Sequence, residues 1–259
     1  MKYKSPWERP DLISEAQKRL KKFVITIYKL LVEKKQKYDL VIGAGNSGIN
    51  MAKVTEMIYG HLKLKAPPML KVPTYLRTKS GKRIKFDNSV LIPHLKKEIK
   101  NVKKIENILF VDDDISKGAT TLREVLRLIS KLNITQTTVT IVAEDYGFSN
   151  HAKIKNYKIK FYPFSKKSKE WKGISNFISY GIPYNIFKPI RDLYSDKQID
   201  SKERFSILLG EPVRGLKDKK PILTHKWDNI LKRKIKNFDV LKKKFKNHIK
   251  KKIAEAIGE

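Results

Sequence analysis

The residues with the clearest chemistry are three consecutive carboxylates and the turn behind them, Val111-Asp112-Asp113-Asp114-Ile115-Ser116-Lys117-Gly118-Ala119-Thr120-Thr121. The apolar stretch at 108–111 predicts a buried strand, which would carry the acids to a sheet edge. Ser116, Lys117, Gly118, Ala119 and Thr120 then predict a small turn opening a helix. Unpaired N–H groups at a helix start, with the helix dipole, favour an anion such as phosphate. Gly118 lets the backbone approach closely. The hydroxyls of Ser116, Thr120 and Thr121 and the Lys117 ammonium add donors. The carboxylates of Asp112 and Asp113 can accept from sugar hydroxyls, directly or around a hydrated Mg2+. One such turn would hold both ends of a ribose 5-phosphate.

A second turn, Gly43-Ala44-Gly45-Asn46-Ser47-Gly48, follows an apolar run and precedes a helical pattern. Its spacing is that of the dinucleotide fingerprint G-x-G-x-x-G. A dinucleotide site also wants an acid at the end of the next strand, and residues 58–75 contain no Asp or Glu. That reading gives Asp112 and its neighbours no role.

The elements around these turns predict an α/β fold. Residues 11–36 read as a helix with Leu12, Ala16, Leu20, Phe23, Val24, Ile27, Leu30 and Leu31 on its apolar side, and Asp11 after Pro10 as its N-cap. Residues 38–42 read as a strand, and a helix runs from the glycine turn to about Tyr59. Residues 69–76 predict the next strand and 77–89 a basic hairpin with Ser80-Gly81 at its turn. Residues 120–132 form an amphipathic helix and 137–143 a β-branched strand. Strands alternating with helices indicate a parallel sheet covered on both faces. Ligands of such sheets bind beyond the carboxyl ends of the strands, where both turns fall. Residues 157–193 read as less regular and aromatic. A Lys-rich helical pattern follows at 225–257, with a stripe at Trp227, Ile230, Leu231, Ile235, Phe238, Leu241, Phe245, Ile249 and Ile253. The expected division is a domain at 1–200, including a hood at about 150–195, and a basic helical extension at 201–259.

The 259 residues are 40% hydrophobic, enough for a proper core. The absence of cysteine excludes disulfides and thiolate chemistry. The charged start lacks a signal core and the apolar runs are too short to cross a bilayer, so a soluble, cytoplasmic protein without a membrane partner is expected. The net charge of +32 draws polyanions, so nucleic acid is a candidate partner. Lys far outnumbers Arg, however, and Arg is the better phosphate reader.

At the acidic loop the sequence resembles the type I phosphoribosyltransferases, whose signature is an apolar strand, two acids, two mostly apolar residues and a phosphate loop with Gly and Thr. Asp112 and Asp113 match the acidic pair, and Ser116 to Thr120 match the 5-phosphate loop. Asp114 departs from the usual apolar residue. Lys117 departs from the usual Thr, Ala or Ser, and Ser116 from the Asp of purine-salvage members. The resemblance implies 5-phosphoribosyl 1-pyrophosphate (PRPP) and Mg2+, with Asp112 and Asp113 near the metal and pyrophosphate displaced by a nucleobase nitrogen. It also implies pyrophosphate on Gly45, Asn46, Ser47 and Gly48 and a catalytic lid at 77–89, where Arg77 and Lys79 would meet pyrophosphate charge. A homodimer is common in the family. Residues 177–185, followed by Arg191-Asp192-Leu193, are similar to the hood of hypoxanthine-guanine phosphoribosyltransferases, although Pro183 replaces an Asp. That likeness makes Arg191 a pyrophosphate contact and Trp171 and Tyr180 base contacts, and it points to a purine.

Three competing readings weigh less. A receiver domain needs a further Asp ending another strand, and 154–164 has none. A Walker B strand needs a Gly-x-x-x-x-Gly-Lys-Ser/Thr loop, and Gly48 is followed by Ile49. The same pocket could instead sense PRPP or a nucleotide without turnover, with Lys232, Lys236, Lys243 and Lys250 holding nucleic acid. The apolar stripe of the last helix favours packing on the domain.

Overall fold

The structure, a computed structural model, describes residues 10–72, 75–77, 83–85, 88–102, 104–116, 119–134, 137–148, 154, 156–166, 213–217, 220–224, 235 and 237–258. Five parallel strands form its centre. They are β1 (Leu40–Ala44), β2 (Met69–Val72), β5 (Asn107–Ser116), β6 (Thr137–Tyr146) and β7 (Tyr157–Lys166), in spatial order β2-β1-β5-β6-β7. Two antiparallel hairpins lie outside the sheet, β3 (Tyr75–Arg77) with β4 (Arg83–Lys85) and β8 (Val213–Lys217) with β9 (Lys220–Thr224). The helices are α1 (Pro10–Tyr28), α2 (Gly45–His61), α3 (Asn88–Ile99), α4 (Thr120–Ser130) and α5 (Phe238–Ile257). Among the described residues no helix is long and apolar enough to cross a membrane.

Strand residues alternate between two cores. Val41, Leu109, Val111 and Val142 face a layer containing α1, α2 and α5, while Ile42, Phe110, Ile141 and Ala143 face one containing α3 and α4. The chain steps from β1 out to β2, then back across β1 to β5 and onward. A single hand of crossover puts the helices before and after such a reversal on opposite faces, and α2 and α3 are so placed. The expected α/β architecture is therefore the one the chain adopts.

Several boundaries differ from expectation. The first helix begins at Pro10, so Asp11 lies in its first turn and does not cap it, and it ends in a π-helical turn, Lys29–Glu33. Strand β1 starts and stops two residues later than expected, and α2 begins directly at Gly45. The pairing of β2 stops at Val72, and the hairpin after it starts at Tyr75. Helix α3 was hidden by Pro93 in its interior, a residue that usually ends helices. Strand β5 runs on through the acids to Ser116, and β6 runs to Tyr146. The segment read as irregular from Tyr157 opens with β7, an edge strand in which Pro163 can be tolerated.

Helix α5 starts at Phe238, after Asn237 in a left-handed conformation, so it covers only the later part of the Lys-rich pattern. Phe238, Phe245, Ile249 and Ile253 are buried in the same cluster as Phe23, Ile27 and Met51. Each such side chain stabilises by ~1.5–3 kcal/mol, enough to dock the helix on α1 and α2. Trp227, Ile230 and Leu231 lie outside the described residues.

Candidate functional site

The sheet reverses direction between β1 and β5, and the two sequence turns meet there. Gly43 and Gly48 explain why α2 can start so close to β1. A Cβ on Gly43 would sit 2.1 Å from the Gly48 carbonyl oxygen, and one on Gly48 would sit 3.0 Å from that of Val111. Gly45 supplies a positive φ of 65° at the bend. Residues Gly45, Asn46, Ser47 and Gly48 are thus the first turn of α2, where backbone N–H groups lack intrahelical acceptors. Packing accounts for these glycines without a dinucleotide.

The acids sit in a bulge. Val111 pairs with Val142 and Asp114 with Glu144, so β5 takes three steps where β6 takes two. The extra residue frees backbone N–H groups, and the carboxylates take them up. Asp113 N donates to Asp112 Oδ1 at 2.9 Å, and Asp114 N donates to Asp113 Oδ1 at 3.1 Å. Ser47 Oγ, from the first turn of α2, donates to the same Asp112 oxygen at 3.0 Å. Asp112 and Asp113 are 6% and 5% exposed, Asp114 is half-buried, and Ser116 and Thr120 are exposed. Burial, then the charges of Asp113 and Asp114, push the Asp112 carboxyl well above the usual carboxylate range.

Behind the bulge lies an ion pair that the sequence reading missed. Arg19 Nη1 is 3.1 Å from Glu144 Oε2, with both side chains 2% exposed, and Arg19 Nε reaches Glu15 at 3.2 Å. Burial raises the Glu144 carboxyl above its ordinary value, and Arg19 offsets only part of this. Strand β7 bulges here too: Ala143 pairs with Pro163 and Glu144 with Ser165. Both neighbours of β6 therefore deform beside Glu144. The available signals were Arg19 on the stripe of Ala16 and Phe23, and an acid directly after the β-branched run of β6.

The turn expected to hold phosphate lies partly within the described residues. Ala119 N donates to the Ser116 carbonyl at 2.9 Å, closing the turn, and Ala119 holds a left-handed φ of 43° before α4 begins at Thr120. A non-glycine residue there costs ~1–2 kcal/mol. Lys117 and Gly118 lie outside the described residues, as do Lys79, Trp171, Tyr180 and Arg191, and with them the proposed hood contacts. Arg77 is the last residue of β3, in the expected hairpin.

The structure thus brings Ser47 and its turn onto the acidic run, which leads along β5 to Ser116. The chain matches no protein-family model, and no curated protein matches it.

The donor set suits Mg2+ of one kind. Among the described residues no group of three or more His, Asp and Glu forms a ready cage. Mg2+ is commonly held by one or two carboxylates plus substrate phosphates and water. Asp112 Oδ1 accepts two hydrogen bonds and Asp113 Oδ1 accepts one, and each carboxylate has a second oxygen that such a site could use.

Proposed function

We propose that this protein is a Mg2+-dependent phosphoribosyltransferase that transfers ribose 5-phosphate from PRPP to a nucleobase, with a purine as the favoured acceptor. The observation that carries this reading is the hydrogen bond from Ser47 to Asp112, which joins two phosphate-and-sugar motifs 65 residues apart at one sheet edge. Open α/β sheets bind ligands at such a reversal point. Strand order alone implies no chemistry, so the side chains at this edge carry the reading.

In this reading Asp112 and Asp113 take the ribose hydroxyls, and the N–H groups from Ser116 to Thr120 take the 5-phosphate. The first turn of α2 takes pyrophosphate, joined by Arg77 and Lys79 from the hairpin. The base nitrogen bonds to the anomeric carbon as the carbon–oxygen bond to pyrophosphate breaks, and the nitrogen's proton passes to solvent. Bound Mg2+ would neutralise pyrophosphate charge. The chain's own contribution is position and field, which requires no nucleophile.

PRPP titration with and without Mg2+, followed by purine and pyrimidine bases in turn, tests this through pyrophosphate release. Base-dependent release is expected, with a loss of about 10²–10³-fold in Asp113→Ala. Release from no base at all would sink the enzyme reading. A second reading, a PRPP or nucleotide sensor on nucleic acid, draws on exposed Lys18, Lys21 and Lys22 of α1 and Lys243, Lys250 and Lys251 of α5. It calls for salt-dependent RNA or DNA affinity that PRPP modulates, without turnover.

A further inference from the structure

A cavity of about 360 Å³ opens at the amino ends of β5, β6 and β7, the far side of the sheet from the acids. Buried Tyr38 and Thr140 line its inner part, with Thr138 and Gln36 beside them and exposed Lys35, Lys37 and Lys160 at its mouth. Among the described residues no carboxylate lines it. Asp39 and Glu106, the chain neighbours of Tyr38 and Asn107, are paired elsewhere. Asp39 Oδ2 accepts from the N–H groups of Glu106 and Asn107, both at 2.9 Å, and Glu106 pairs with Lys104.

The backbone departs from regular geometry where it delivers these lysines. The π-helical turn Lys29–Glu33 ends α1, and Lys35 follows at a φ of 49°. Gln36 N donating to the Leu30 carbonyl at 2.9 Å holds the segment there. Single π turns and left-handed non-glycine residues both cost stability and cluster at functional positions. Tyr38 Oη donates to Gln36 Oε1 at 2.6 Å. Burial raises the phenol to about 12, so it remains a neutral hydroxyl. The only aromatic among the lining residues, Tyr38, is buried, and the nearby Tyr162 ring carries Lys34 Nζ at 4.3 Å. Among the described lining residues no exposed aromatic is present for a base to stack on.

We propose that this cavity binds a small phosphorylated sugar, with its phosphate among Lys35, Lys37 and Lys160 and its hydroxyls on Gln36, Thr138 and Asn107. A floored cavity of this size suits one small molecule, whereas a nucleic-acid backbone would track lysines along an open face. The inference stands on residues separate from the acidic loop and is independent of the transferase reading.

The test is calorimetric titration of ribose 5-phosphate and of inorganic phosphate into the full-length protein, with each cavity variant read as a difference from it, because the turn at Ser116 to Thr120 would hold a second phosphate under the transferase reading. Both should bind. The triple variant Lys35→Ala, Lys37→Ala, Lys160→Ala should lose about tenfold or more for each. Tyr38→Phe should weaken ribose 5-phosphate about three- to tenfold and leave inorganic phosphate unchanged. No binding to the parent, or isotherms that the triple variant leaves unchanged, overturn the proposal. So does a triple variant that weakens only a DNA oligonucleotide.

Discussion

The two ends of the sheet handle charge in opposite ways. At the carboxyl ends Asp112, Asp113, Glu144 and Arg19 are each 6% exposed or less, held by hydrogen bonds around the bulges of β5 and β7. At the amino ends Lys35, Lys37 and Lys160 stand exposed around a cavity whose inner hydroxyls are neutral. Buried charges are fixed in direction but sensitive to pH and to loss of a partner. Exposed charges supply a field that salt screens, and they contribute little to folding. One end therefore fixes its charges in direction, and the other presents them to solvent.

The largest effect should come from breaking the buried pair. Arg19→Met leaves Glu144 in the core without its guanidinium and should cost about 3–5 kcal/mol in urea unfolding at pH 7. Adding Glu144→Gln removes the stranded charge and should restore most of that loss. If Arg19→Met is nearly neutral, the acidic end is less dry than its geometry implies, and the contrast between the ends fails.

The glycines come next. Gly43→Ala puts a methyl group into the Gly48 carbonyl, and neither backbone can yield without moving α2 off β1; ~3 kcal/mol is expected. Gly48→Ala, at 3.0 Å from the Val111 oxygen, should cost less, about 1–2 kcal/mol. It should still weaken PRPP binding, because Asp112 Oδ1 lies 3.4 Å from the added carbon. Equal costs for the two would mean that the close approach is not the reason for both glycines.

The acidic end was largely legible in the sequence, and the basic end was not. An apolar run ending in Asp112 and Asp113, and a glycine turn ending in Gly48, are local patterns, and each falls at a strand's carboxyl end. Strand order and the bulge depend on pairing between distant segments, which no local window contains. The partner of Glu144 lies 125 residues away, on a helix whose Arg19 looks like one more surface cation. The cavity mouth joins Lys35 to Lys160 through a π turn and an edge strand, neither of which has a periodicity to read. Alternation in β7 is present, with Tyr157, Ile159 and Phe161 set against Lys158 and Lys160, but Tyr162, Pro163 and Phe164 break it.

The pH response separates the ends further. The Asp112 carboxyl is raised in the folded state, so between its unfolded and folded values the native protein binds more protons than the unfolded chain. Its contribution to stability is then fully present below the unfolded value and falls as pH rises through the folded one, by up to ~1.4 kcal/mol per pH unit. Glu144 acts in the same direction. Asp112→Asn should therefore be more stable than the parent at pH 8, nearly equal to it at pH 4, and flatter in between. Mg2+ with PRPP should recover stability at the higher pH in the parent and less in the variant. A parent whose stability rises more steeply from pH 5 to 8 than that of Asp112→Asn would show that the Asp112 carboxyl does not hold its proton in the folded state.

The smallest change in stability should come from the lysines, and it is the sharpest test of the contrast. Lys35→Ala, Lys37→Ala and Lys160→Ala each remove an exposed cation from a chain of net charge +32. Removing one like charge from such an excess relieves a little repulsion, so unfolding free energies should move by less than ~0.5 kcal/mol, and upward if at all. The Lys35 substitution carries an added backbone effect: Lys35→Gly relieves the left-handed strain at its φ of 49° and should match or exceed Lys35→Ala in stability. Raising salt should shrink the differences among the cavity variants and leave the Arg19→Met loss nearly intact, because screening reaches the open end of the sheet and not the buried one. Equal salt sensitivity at both ends would mean that burial is not what distinguishes them.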